Sequence, residues 1–93
     1  MNTTNSKFPL GQIVITKNAL GVLDNGSVNK TFLTKYINCD WGELCEEDKK
    51  LNDEALIHGD RILAAYRDAN GTKFWIITEH DRSCTTILMP EDY

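Results

Sequence analysis

The stretch that most limits what this chain can fold into is Arg61 to Leu88, RILAAYRDANGTKFWIITEHDRSCTTIL. Two apolar, β-branched and aromatic runs, Ile62–Tyr66 and Lys73–Thr78, flank Asp68-Ala69-Asn70-Gly71. Asn-Gly between such runs is a strong hairpin signal, because both residues tolerate the positive φ of a tight turn. A third run, Cys84–Met89, follows another polar connection. Three strands joined by short turns form an antiparallel meander. The middle run, Phe74-Trp75-Ile76-Ile77, is apolar at every position, so it reads as a central strand covered on both faces, with Trp75 and Ile77 buried along with Phe74 and Ile76.

Upstream, Gly11–Thr16 is short and β-branched and reads as one more strand. Thr16 is placed to cap a short helix at Lys17–Leu20, which ends in the turn residues Asp24-Asn25-Gly26. Ser27 then reads as the N-cap of a second helix. Val28, Phe32 and Tyr36 stand four apart, with Leu33 and Ile37 beside them, in one apolar stripe. Cys39-Asp40-Trp41-Gly42 ends it. Trp41 reads as a plug at the helix junction, with a partner-facing anchor as its alternative role. The next helix spans Glu46–His58. Its first turn carries Glu46, Glu47 and Asp48, which favour the positive end of the macrodipole. Leu44, Leu51 and Ala55 mark its inner face, thickened by Leu56 and Ile57, and Gly59 stops it in the left-handed conformation. Setting the short capped helix aside, the order is strand, helix, helix, three strands. The predicted class is α+β: one small domain over 10–93, helices on one face of a mostly antiparallel sheet, preceded by a flexible tail over 1–9.

With 93 residues the chain has room for one core. No apolar run is long enough for a membrane span and the N-terminus has no signal-peptide pattern, so a cytoplasmic chain is expected. Cys39, Cys45 and Cys84 are an odd set that reads as reduced thiols. Cys39 and Cys45 are six apart with no second pair, which is poor spacing for zinc, and no metal or other cofactor is expected. There is no Gly-rich phosphate loop and no nucleophile elbow.

The net charge of −4 is unevenly spread. Residues 1–38 hold four Lys and one Asp, residues 39–60 hold eight acids and two Lys, and residues 61–93 hold five acids and four basic residues. The local balances are +3, −6 and −1. An acidic middle repels phosphate, so duplex nucleic acid is not an expected ligand. It suits a protein partner with a basic surface. Glu43, Glu47, Asp48 and Glu54, with Trp41, are the candidate partner-binding residues. Lys49 and Lys50 are too few to neutralise these acids. A second candidate is the connection Glu79-His80-Asp81-Arg82-Ser83, where acid, imidazole, guanidinium and hydroxyl crowd together. Neighbours in a tight turn point in different directions, so the expected roles are local: Asp81 and Ser83 in turn hydrogen bonds, Arg82 held by a carboxylate.

The phrases LGQIVIT-KNAL, CDWGELCEEDKKLNDEAL, RILAAY and FWIITEHDRSCTTILMPEDY together resemble a family of small, mostly uncharacterised bacterial proteins of plasmids, phages and other mobile elements. The resemblance spans about Leu10 to Tyr93. The family pattern usually has a small residue where this chain has His80. What the resemblance implies is a mobile-element setting, in which small acidic proteins often inhibit host defence, as anti-CRISPR or anti-restriction proteins do. Together with the acidic helix, that setting leads to the expectation of a non-enzymatic protein-binding protein. The alternative comes from topology: the element order is similar to that of the RelE/ParE ribonuclease toxins, where basic residues on the sheet act on RNA. Here Arg61, Arg67, Lys73 and Arg82 would fill that role, against an unfavourable net charge.

Overall fold

Local chemistry sets most element boundaries. In the computed structural model, which describes residues 6–93, β1 is Gln12–Ile15, α1 is Lys17–Val22 and α2 is Asn25–Thr34. A short 3-10 turn over Tyr36–Asn38 leads to α3, Glu46–His58. The meander follows as β2 (Ile62–Arg67), β3 (Lys73–Thr78) and β4 (Cys84–Leu88), and a 3-10 turn at Pro90–Asp92 closes the chain. Thr16 caps α1, its Oγ1 accepting from the Ala19 N–H at 3.2 Å. Gly59 ends α3 at φ 76°. The cap of α2 is Asp24 rather than Ser27: the Asp24 carboxylate accepts the Ser27 N–H at 3.0 Å. Asp and Ser are about equally good N-caps, and the helix starts at the first that has room. The expected turn at Asp24–Gly26 is therefore the first turn of α2.

The sheet order is β1-β4-β3-β2. β2–β3 and β3–β4 pair antiparallel as the hairpin signals require, while β1 lies parallel to β4, so the sheet is mixed. The turn between β2 and β3 closes with Asp68 N–H to Thr72 O at 2.9 Å and Gly71 at φ 83°. The Asp68 carboxylate accepts N–H groups of Asn70, Thr72 and, from the start of α2, Asp24. Those donors hold its carboxyl below the usual carboxylate range.

One face of the sheet, with Ile62, Ala64, Tyr66, Phe74, Ile76 and Ile87, forms the core with Ala19, Leu23, Val28 and Phe32 from α1, α2 and the segment between them. Tyr36 is its centre. Its ring lies 5.5 Å from Phe8 and 5.8 Å from both Phe32 and Trp41. Each such pair adds roughly 0.5–1.5 kcal/mol to simple burial. The Tyr36 hydroxyl opens a buried chain of hydrogen bonds: Tyr36 to Thr78 at 2.5 Å, Thr78 to Thr85 at 2.8 Å, Thr85 to the Leu10 carbonyl at 2.7 Å. The terminal carbonyl only accepts, so each hydroxyl donates toward it and every member is satisfied.

Three further expectations change. Of the 1–9 tail, residues 1–5 lie outside the described residues, but the rest joins the fold. Lys7 N–H donates to Ile37 O at 3.0 Å, and Phe8 sits in the aromatic cluster, because its ring packs against both Tyr36 and Trp41. Trp75 is only half-buried, since α1 and α2 cover the opposite face of β3 and Trp75 meets chiefly Tyr93. On α3, Leu51 and Ile57 are 57% and 79% exposed, and the inner face is Asn52, Ala55 and Leu56. Asn52 belongs inside because its amide pairs with a strand: Nδ2 donates to Leu63 O at 2.7 Å and Oδ1 accepts Leu63 N–H at 3.2 Å.

Candidate functional site

Docking Asn52 against β2 leaves every acid of α3 in solvent. Glu46, Glu47, Asp48, Asp53 and Glu54 are all exposed. Two have partners: Glu46 lies 3.8 Å from Lys49, and Asp53 accepts the Trp41 indole N–H at 3.0 Å. Glu43, before the helix, is held by Arg67 at 3.0 Å, a cation from β2 rather than from the neighbouring lysines. Glu47, Asp48 and Glu54 have no ion-pair partner among the described residues. Glu47, Leu51, Glu54 and His58 follow the spacing of one helical stripe, so an exposed leucine stands between two free carboxylates. Beside it, Asp48 and Leu51 border a cleft of about 280 Å³ with Leu44, Asn52, Arg61 and Leu63.

Trp41 is not available to a partner. It is 3% exposed, with its ring in the aromatic cluster and its N–H on Asp53. Of the sequence candidates, then, Glu47, Asp48 and Glu54 lie together and open, while Glu43 is paired and Trp41 is core. Leu51 escaped the sequence reading because Leu44, Leu51 and Ala55 fit a helical stripe. The signal that could have found it is Asn52, a residue with two hydrogen-bonding functions one step away.

The Glu79–Ser83 connection is a built turn. Asp81 Oδ1 accepts from the Ser83 N–H at 3.0 Å and the Ser83 hydroxyl at 2.6 Å, which holds the Asp81 carboxyl below its ordinary range. Ser83 donates to Asp81 and not to His80, which excludes a charge-relay arrangement. Arg82, at φ 60°, is bound by carbonyls and not by the expected carboxylate: Asp60 O at 2.6 Å, Ala55 O at 3.0 Å and Glu79 O at 3.1 Å. The guanidinium thus meets the carbonyls at the end of α3, where cations are favoured. Of the other sheet cations, Arg67 and Lys73 stand opposite each other across β2 and β3, and Arg61 lies apart, just before β2. Arg61 contacts the Tyr93 ring and hydroxyl, and Arg67 is paired with Glu43 and Gly71 O.

Cys39, Cys45 and Cys84 are free thiols. Burial pushes the Cys39 thiol up, the opposite of what activates a nucleophile. Among the described residues no three His, Cys, Asp or Glu side chains converge on a point that could hold a metal, and no helix is long and apolar enough to cross a membrane. No family model, curated protein or solved structure matches the chain.

Proposed function

We propose that this chain is a non-enzymatic protein-binding protein that meets a basic surface with the exposed stripe of α3. The observation that carries this reading is the group Glu47, Asp48 and Glu54, exposed, without ion-pair partners among the described residues, and set around the exposed Leu51. Free carboxylates steer a basic partner and raise the association rate, and an apolar residue among them supplies contact area once water leaves. The mobile-element resemblance of the sequence makes an inhibitor of a host defence system, of the anti-CRISPR or anti-restriction type, the setting in which such a surface fits. The ribonuclease alternative needs cations gathered on the sheet, and Arg67 and Arg82 are both engaged within the fold.

The test begins with crosslinking in the native host to identify the partner, followed by stopped-flow association with the purified proteins. Association should slow by at least about tenfold between low and physiological salt, and again when Glu47 and Asp48 are both reversed to Lys, with the melting temperature unchanged. Association indifferent to both salt and reversal excludes the acidic-stripe reading. Cleavage of RNA by the purified protein would revive the nuclease.

A further inference from the structure

The parallel register of β1 on β4 turns Gln12, Val14 and Thr16 backbone groups toward β4, with Gln12 N–H on Ser83 O at 3.0 Å and Thr16 N–H on Ile87 O at 2.9 Å. Ile13 and Ile15 therefore direct their N–H and C=O groups away from the sheet. Those four groups have no backbone partner among the described residues. The strand is short, at four residues, which limits pairing, but it carries no charge, proline or bulge to block it. Ile13 is 44% and Leu20 53% exposed. Both line a groove of about 530 Å³ that runs beside the edge, between β1 and the start of α2, with Ile15, Gly26, Val28 and Asn29 among its walls.

We infer that β1 is a docking edge for an extended, acidic and apolar segment of another protein, which adds to the sheet as a fifth strand. The backbone of Ile13 and Ile15 would supply two donors and two acceptors, and alternate side chains of the guest would enter the groove. The charge of the guest follows from what flanks the edge. Ile13 also borders a second groove, over Ser6–Gly11, that contains Lys7, and the exposed Lys17 follows the strand at its other end. Neither groove is lined by a carboxylate, although the chain has 14 acids. An acidic guest gains at the Lys7 end, whereas at the other end Lys17 stands beside the Asp92 carboxylate held by Thr16 and Asn18, which offsets part of its charge. A second copy fits poorly: twofold pairing of two β1 strands would set the Lys17 end of each against the Lys7 end of the other. This site is separate from α3 and does not depend on the acidic-stripe reading.

The probe is a blocked peptide of sequence DVTIEVD, with KVTIKVK as its charge-reversed control, titrated into the isotopically labelled full chain and followed by NMR. The acidic peptide should bind saturably, shift the Ile13 and Ile15 amide resonances, and slow the hydrogen exchange of those two amides, with the basic peptide at least about tenfold weaker. Ile13→Pro removes one outward N–H without touching the β4 ladder and should weaken binding about tenfold. The exchange measurement on the unaltered protein decides the matter if that variant folds badly. No saturable binding, shifts confined to α3, or equal affinity for both peptides overturns the proposal. So does protection of the Ile13 and Ile15 amides in the free protein with a concentration-dependent mass, which would mean that a second copy occupies the edge.

Discussion

The two edges of the sheet are treated in opposite ways. At β2, every outward backbone group of Leu63 and Ala65 has a partner. Asn52 takes both groups of Leu63, while Trp41 O accepts Ala65 N–H at 3.4 Å and Glu43 N–H donates to Ala65 O at 2.8 Å. At β1, the equivalent groups of Ile13 and Ile15 meet no backbone partner among the described residues. The covered edge uses one buried amide and three residues of irregular chain; the open one has none of these and carries an apolar groove instead. A chain that spends a buried Asn on closing one edge shows that closure is within its means, so the open edge is the informative one. Unpaired edges invite pairing, and most proteins blunt them.

The largest expected effect tests how the β2 edge is closed. Gly42, at φ 76°, lies so near β2 that a Cβ there would stand 2.1 Å from Ala65 O. Gly42→Ala should cost about 3 kcal/mol through left-handed strain and overlap, measured by urea unfolding. A cost below about 1 kcal/mol would show that the 41–43 segment is not tightly laid on the strand.

Next comes Asn52→Ala, which leaves the Leu63 N–H and C=O without their partner and should cost about 2 kcal/mol. The Leu63 amide should lose its hydrogen-exchange protection in that variant while Ala65 keeps its own. If Leu63 stays protected, something other than Asn52 closes the edge.

A smaller effect, with a defined sign, separates the two ends of the molecule by pH. Asp92 ties the C-terminal turn to the end of β1, accepting from the Thr16 hydroxyl at 2.7 Å, the Met89 N–H at 3.0 Å and the Asn18 amide at 3.1 Å. These bonds hold its carboxyl below the usual range. A carboxyl depressed in the folded state stabilises fully above its unfolded value of about 3.9, and that contribution disappears as pH falls through the folded value. Asp92→Asn should therefore lower the melting temperature at neutral pH and flatten its decline in acid. An unchanged acid limb would show that Asp92 titrates like a free carboxyl.

The smallest effect belongs to the open edge. Ile13→Thr keeps the β-branched shape on a half-exposed position and should change stability by only about 0.5 kcal/mol. A loss above about 2 kcal/mol would mean that the groove beside Ile13 is already filled in solution, and the contrast between the edges would fall.

Much of the fold was legible before the structure, for reasons confined to a few residues. Asn70-Gly71 fixed the hairpin because a tight turn demands positive φ within four residues. Thr16 and Gly59 marked helix ends because capping is a bond from one side chain, or one left-handed residue, to the adjacent turn. The candidate site was half legible. Glu47, Asp48 and Glu54 were visible as charges, but pairing is settled by cations far away in sequence, and Arg67 removed Glu43 from the free set.

The sequence alone determined the order of elements, the meander and the excess of acid in residues 39–60, because propensity, turn chemistry and charge are local properties. Tertiary structure alone decided that β1 returns beside β4, that Trp41 and Phe8 share one cluster, that Arg82 serves carbonyls, and which flank of α3 faces water. Each of these joins residues separated by many positions. A stripe of apolar side chains tells a helix that it has an inside, but α3 offered two, and the bidentate fit of Asn52 to the Leu63 backbone chose between them.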